Sequence, residues 1–457
     1  MPDFGNMTLS QLTRPEGYAC GCGRRHVCAL KYLNIGRGII REVPKMISAM
    51  GKKKPFVVCD DNTWAVAGKR VDAILTDAGI DHAVYVVPLE KPDNARIAPA
   101  EWETGSIIMH FDPSCDMFLA VGSGVINDLC KVAAYATGRP TAVVGTAPSM
   151  DGYASNSSSM EVNHVKVSLY NRGPEGILLD SEILAQAPMR MLWAGLGDMV
   201  AKYVAVCEWR ISHLVTGEYY CEDVAELMRA ALRKLMAVSD RIVSRDPDAI
   251  AAIAEGLVLA GIGMAYAEIS RPASGLEHYF SHMWEMMALE RGVPYDLHGI
   301  QVGVGTLLTM KIYRKLLADG TRPDRRKAEA HMRAFDRAAW EAQVRRIFGK
   351  TADAIIDIED KVHKNDPARH AKRLDNIIAH WDDILAVIHE ELPDYDALYN
   401  AMAATGMPLT PADIGIPTED VVNAFVGARD IRDKYLSCSL LWDLGLTETY
   451  AKYLETL

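Results

Sequence analysis

Long hydrophobic runs are missing from this sequence. The opening stretch MPDFGNMTLSQLTRPEGY has no apolar core of signal-peptide length, so no leader is expected. The closest approach to a membrane span, 249–269, is interrupted by Glu255 and Glu268 and is rich in alanine and glycine. It reads as a buried helix. Blocks of one charge are also absent. Acidic and basic residues are interspersed, and a net charge of −11 argues against a nucleic-acid or anionic-membrane partner. The short basic cluster from Arg322 to Lys327 lies between helical stretches and reads as a solvated face. The sequence shows no internal repeat and no low-complexity linker. Nine cysteines is an odd number, and Cys59, Cys130 and Cys207 lie in apolar segments where a thiol packs as a small hydrophobe. That usage points away from a disulfide framework and toward a reduced, cytoplasmic setting. With 457 residues, 49% of them apolar, the chain can build two or three ordinary globular domains.

What is present begins with alternation. Apolar runs at 55–59, 82–87, 117–121 and 141–144 are separated by helical patterns over 63–78 and from about Val125 to Tyr135. Strand, helix, strand at this rhythm predicts a parallel sheet with right-handed crossovers. Ligands of such sheets bind beyond the carboxyl ends of the strands, where Asp60, Gly122 and Thr146 fall. After about Met189 the strand pattern stops, and helical periodicity dominates over 220–243, 326–348, 373–392 and 421–441. The expected organisation is an α/β nucleotide-binding domain over 1–188 and an all-α domain over 189–457.

Within the first part, Gly122-Ser123-Gly124 forms a glycine turn ahead of a helix, an arrangement that brings backbone N–H groups and a positive helix end to a diphosphate. The third glycine of the common dinucleotide fingerprint does not arrive. A second turn, 146–155, carries a lone carboxylate, Asp151. Near the N-terminus, Cys20-Gly-Cys22-Gly-Arg-Arg-His26-Val-Cys28 looks like a metal knuckle. Its C-x-C spacing, with one histidine and no second ligand cluster, is nevertheless poor for structural zinc, and a β-hairpin with a glycine turn is expected.

Three polar positions stand out in the helical part: Asp198, His278 and His298. Each alone is unremarkable, as a helix cap or a core histidine. Together they form a three-ligand set that leaves coordination positions open, as catalytic zinc or nickel requires. His278 and His282 are four apart and share a helix face, so spacing allows either as the ligand.

The combination of Gly122-Ser123-Gly124-x3-Asp128-x2-Lys131, the turn from Thr146 to Ser155, Gly197-Asp198, Glu277-His278-x3-His282 and His298-Gly299 resembles the metal-dependent polyol dehydrogenases. That superfamily includes glycerol dehydrogenase, the iron-containing alcohol dehydrogenases and dehydroquinate synthase. Within it the chain is similar to the bacterial sn-glycerol-1-phosphate dehydrogenases. The similarity includes the Cys20 to His26 element and the tail phrases His380-Trp381, Asp413 to Ile416, Arg429 to Asp433 and Leu441 to Gly445.

The resemblance implies a Rossmann-like sheet domain followed by a helical domain, in the dehydroquinate synthase-like architecture. It places one divalent metal, zinc, nickel or iron, on Asp198, His278 and His298, with His282 beside the substrate. The cofactor, NAD or NADP, would lie on Gly122, Ser123 and Gly124, with Asp128 and Lys131 nearby. Thr146, Ser149 and, more weakly, Ser155 would border its nicotinamide side. Asp60 would read the adenine ribose and favour NAD. Asp151 would face the substrate hydroxyls. The implied reaction is reduction of dihydroxyacetone phosphate to glycerol 1-phosphate, with His282 or a metal-bound water returning the proton and Arg271, or failing it Lys202, holding the phosphate. Alternatives are a glycerol dehydrogenase, a dehydroquinate synthase-type lyase, against which Asp198 counts because glutamate is usual there, and a non-catalytic protein that binds NAD and metal. The large helical part makes a homodimer or larger assembly plausible.

Overall fold

Six strands pair into one parallel sheet in the computed structural model of the protein, which describes residues 2–89, 97–162 and 165–457. The strands in chain order are β1 (Tyr18–Ala19), β2 (Arg25–His26), β3 (Tyr32–Gly36), β4 (Pro55–Asp60), β5 (Ala83–Val87), β6 (Met117–Gly122), β7 (Thr141–Gly145), β8 (Ser157–Val162), β9 (Val165–Tyr170) and β10 (Gly176–Asp180). The main sheet runs β3-β10-β7-β6-β4-β5, and every neighbouring pair is parallel. Its four inner strands are buried throughout, as a sheet covered on both faces requires, while the edge strand β3 is only half-buried. The four expected strands are present. Two more, β3 and β10, flank them, and β8 and β9 form a separate antiparallel hairpin. The expected N-terminal hairpin is also found, pairing Tyr18 with His26 and Ala19 with Arg25.

Helices that position chemistry are α1 (Gly124–Thr137), α2 (Met189–Thr216), α3 (Glu222–Met236), α4 (Pro247–Ala267), α5 (Leu276–Arg291), α6 (His298–Ala318) and α7 (Ser437–Asp443). The α4 helix starts because Asp246 accepts N–H bonds from Asp248 and Ala249 and Pro247 occupies the first turn. By length and composition α4 could cross a membrane, but 78% of its apolar window is buried inside the protein.

The described chain forms two compact units, 1–199 with 222–273, and 200–221 with 274–457. The last strand of the first unit is β10, yet α3 and α4 belong to that unit as well. Its core includes Val43, Met46, Val57, Val71, Leu119 and Val144. The second unit packs around Trp284, Tyr313, Phe348, Leu374 and Phe425. Here three long periodic stretches are each broken into two helices: Arg325–Arg333 and Arg337–Phe348, Pro367–Ala379 and Trp381–Glu391, Thr418–Gly427 and α7. Asp336 causes the first break by capping the N-terminus of the second helix.

Candidate active site

In the first unit, β6 ends at Gly122 and α1 begins at Gly124. A β-carbon at Gly122 would sit 2.6 Å from that of Ile126, so the tight exit into the helix depends on glycine there. Ser123 makes no side-chain cap, which leaves the first turn of α1 oriented for an anion. Instead, the Ser123 hydroxyl lies 2.6 Å from that of Ser149 and 3.3 Å from the carbonyl of Ala147. The N–H of Thr146 donates to Gly122 at 3.1 Å, so the two turns are joined through backbone as well. Asp60 closes β4 and caps the next helical turn, its Oδ1 accepting from the N–H of Thr63 at 2.7 Å.

Asp128 and Lys131 act on the chain itself. The buried Lys131 ammonium lies 2.9 Å from Asp128 Oδ1 and donates to Gly152 O and Ser155 Oγ, both at 3.3 Å, and to Ser157 O. Asp128 Oδ2 accepts from the N–H of Ser159 at 3.0 Å. Together they fasten the segment after Asp151 onto α1. Ser155 takes part in that bonding.

Asp198, on α2, is 0% exposed, and its Oδ2 accepts the N–H of Asp151 at 2.9 Å. The turn reaches α2 across Gly195, where a β-carbon would stand 1.9 Å from the carbonyl oxygen of Pro148. Only glycine permits that approach. Arg271 is 2% exposed, so it is a buried cation and not a surface helix cap.

In the second unit, α5 carries His278 and His282, and α6 opens with His298. The ring of His298 lies 5.3 Å, centroid to centroid, from each of the other two. Proximity therefore does not separate His278 from His282, but their hydrogen bonds do. His278 Nδ1 donates to the buried Glu277 at 2.8 Å, which fixes the tautomer and leaves Nε2 as a lone-pair donor. His298 Nδ1 lies 3.0 Å from Ser281 Oγ and 3.2 Å from Glu285 Oε1, with the same consequence. His282 Nδ1 stands 3.9 Å from Glu285, beyond hydrogen-bond range, and burial holds its pKa well below the usual histidine value. Lys202 is buried within this unit.

Glu208 was not legible as part of the site. It is a buried carboxylate on α2 whose Oε2 accepts the N–H of Leu276 at 2.8 Å, at the start of α5, and whose Oε1 accepts that of Ser437 at 3.0 Å, at the start of α7. Burial, with the charge of Glu277, raises its pKa to about 7. Glu277 Oε2 is buried without a hydrogen-bond partner. Such an anionic surround, with imidazoles presenting Nε2, suits a divalent cation.

A family model described as iron-containing alcohol dehydrogenase matches residues 34–188. The chain is 34% identical over 310 residues to a glycerol-1-phosphate dehydrogenase [NAD(P)+] of Halalkalibacterium halodurans, covering 68% of this chain and 77% of the relative. With the enzyme of the same name from Bacillus licheniformis it shares 32% over 366 residues, covering 78% and 89%. The chain belongs to the iron-containing alcohol dehydrogenase family. Solved structures agree on the fold. Glycerol dehydrogenase from Schizosaccharomyces pombe superposes with a TM-score of 0.61 at 15% identity, covering 95% of this chain and 93% of that one. Sulfoacetaldehyde reductase from Bifidobacterium kashiwanohense, solved in complex with NAD+, does so with a TM-score of 0.56 at 14% identity, covering 95% and 100%. As a member of this family the chain is an oxidoreductase of the alcohol dehydrogenase type.

Proposed function

We propose that the enzyme reversibly reduces dihydroxyacetone phosphate to sn-glycerol 1-phosphate with NADH or NADPH, using one divalent ion, nickel, zinc or iron, held by Asp198, His278 and His298. The observation that carries this reading is the pair of imidazoles with their Nδ1 atoms tied to buried carboxylates, in a chain 34% identical to a glycerol-1-phosphate dehydrogenase. When bound, the ion polarises the C2 carbonyl and the dinucleotide supplies hydride.

The residues of the chain do the rest. Gly122, Ser123 and Gly124 hold the cofactor diphosphate at the N-terminus of α1, and Asp60 binds the adenine ribose. Thr146 and Ser149 border the nicotinamide, on a wall that Asp128, Lys131 and Ser155 keep rigid. Asp151 orients the substrate hydroxyls from a turn fixed by Asp198. His282 or a water beside it would return the proton to the C2 oxygen. Arg271 binds the substrate phosphate, with Lys202 as second choice. The nine thiols support a cytoplasmic setting, and a homodimer is proposed.

The test is NADH oxidation with dihydroxyacetone phosphate against dihydroxyacetone, after metal stripping and return of nickel or zinc, with the chirality of the product determined. Preference for the phosphate with an sn-1 product is expected. Equal kcat/KM on both ketones would favour a glycerol dehydrogenase, and no oxidation with either ketone under nickel, zinc or, in a further arm, iron(II) would overturn the proposal. Arg271→Ala should raise KM for the phosphate alone.

A further inference from the structure

The β1–β2 hairpin carries ligand chemistry that hydride transfer does not use. Its turn holds Cys20 and Cys22, and β2 ends at His26, which is 0% exposed. One ligand atom from each of these three residues lies within 4.8 Å of the other two. His26 Nδ1 is 2.7 Å from the carbonyl oxygen of Tyr266 on α4 and donates to it, so Nε2 presents its lone pair. That Nε2 is 3.4 Å from the sulfur of Cys22. Two ligands of one tetrahedral zinc, with Zn–N near 2.05 Å and Zn–S near 2.3 Å, stand about 3.6 Å apart. The sulfur of Cys20 accepts the N–H of Cys22 at 3.4 Å and lies 3.0 Å from the carboxylate of Asp223 on α3. Cys221, two residues earlier in the sequence, brings a further thiol to that stretch.

Cys28 is different. Its thiol donates to the carbonyl of Leu12, and burial raises its pKa. The hairpin expected from the sequence is therefore present, and part of the second ligand cluster that local spacing lacks comes from some two hundred residues later: the carboxylate of Asp223 stands beside Cys20, while the Tyr266 carbonyl orients His26.

We propose that Cys20, Cys22 and His26 bind a structural zinc ion, the fourth position falling to the Asp223 carboxylate beside Cys20 or to a water, separate from the metal of the dehydrogenase reaction. Binding converts two thiols and Zn2+ into a zinc dithiolate and two protons released to solvent, while His26 keeps its Nδ1 proton and nothing is oxidised. The ion fastens the N-terminal segment to the first unit beside Asp223 and Tyr266. Arg24 strengthens the same anchorage by donating to the carbonyl of Ala267 at 2.8 Å.

The test is metal content of the purified full-length enzyme by mass spectrometry. About two ions per chain are expected in the wild type, with one remaining in Cys20→Ser/Cys22→Ser and the full two in Cys28→Ser. His278→Ala should also keep one ion while losing dehydrogenase activity, so failure here and failure of the proposed reaction are distinguishable. In case the double variant does not fold, two measurements use the wild type. A mercurial thiol reagent should release zinc, and cobalt-substituted protein should show thiolate-to-cobalt charge transfer in the near ultraviolet. A single ion per chain without that charge-transfer band, or a Cys20–Cys22 disulfide in protein kept reduced, would overturn the proposal.

Discussion

In the first unit, the turn bearing Asp151 is placed by backbone packing: it meets α2 across Gly195, and its amide is held by the carboxylate of Asp198. In the second unit the histidines are oriented by buried acids, Glu277 for His278 and Glu285 for His298. Both regions need glycine at their closest backbone approach, since a β-carbon at Gly305 on α6 would stand 2.5 Å from the carbonyl oxygen of Glu277. They differ in what aims the functional group. Steric placement is all-or-none, because an added methyl forces two backbones apart. Electrostatic aiming is graded, because a weaker acceptor still selects the right tautomer.

The largest expected effect comes from removing a ligand. His278→Ala should lower kcat/KM by about a thousandfold or more, with loss of the catalytic ion, since several kcal/mol of carbonyl polarisation disappears. Steady-state kinetics alongside metal analysis checks this. Gly195→Ala should follow, at about a hundredfold in kcat, because displacing the Asp151 turn by an ångström spoils alignment. Retention of wild-type kcat would show that the turn is not steric in origin. Glu277→Gln should weaken metal affinity by about ten- to a hundredfold, with kcat recovering at saturating metal. Competition with a metal-binding dye would measure it, and an unrecoverable kcat would mean that Glu277 does more than orient His278. Lys131→Met should cost about 2 kcal/mol of stability, because it leaves the half-buried Asp128 and the carbonyls of Gly152 and Ser157 without the buried cation. Urea unfolding tests this, and KM for the substrate should rise more than KM for NADH if Lys131 serves the turn.

Legibility followed burial pattern. The strands at 55–60, 117–122 and 141–145 announce themselves as continuous apolar runs between helical segments. The edge strand Tyr-Leu-Asn-Ile-Gly has neither a continuous run nor a clear alternation, and Gly176–Asp180 directly follows a proline and a glutamate that read as a loop. The serine-rich β8 is too polar to signal a strand. The first break inside the later helices is marked only by a single aspartate, Asp336, and the second only by His380, both of which periodicity passes over. For the site, residue types and order pointed to Asp151, Asp198 and the histidines, because each interrupts apolar surroundings. The supporting bonds of Glu208 with Ser437 and of Lys131 with Gly152 join segments far apart in sequence and leave no local spacing to read, whereas Glu277 supports the adjacent His278 and shows only as one more carboxylate until its burial is seen.

The hydrogen bond from the Asp151 amide to Asp198 makes that carboxylate a shared resource. On the proposed ligand set, a cation drawing on its oxygens would weaken it as an acceptor for the amide, and the stiffness of the Asp151 turn would become a function of metal occupancy. Thermodynamic linkage then works in reverse by the same factor: a substrate that fixes Asp151 changes the affinity for the ion. The exchange rate of this one amide is thus a spectator of the metal from the substrate side.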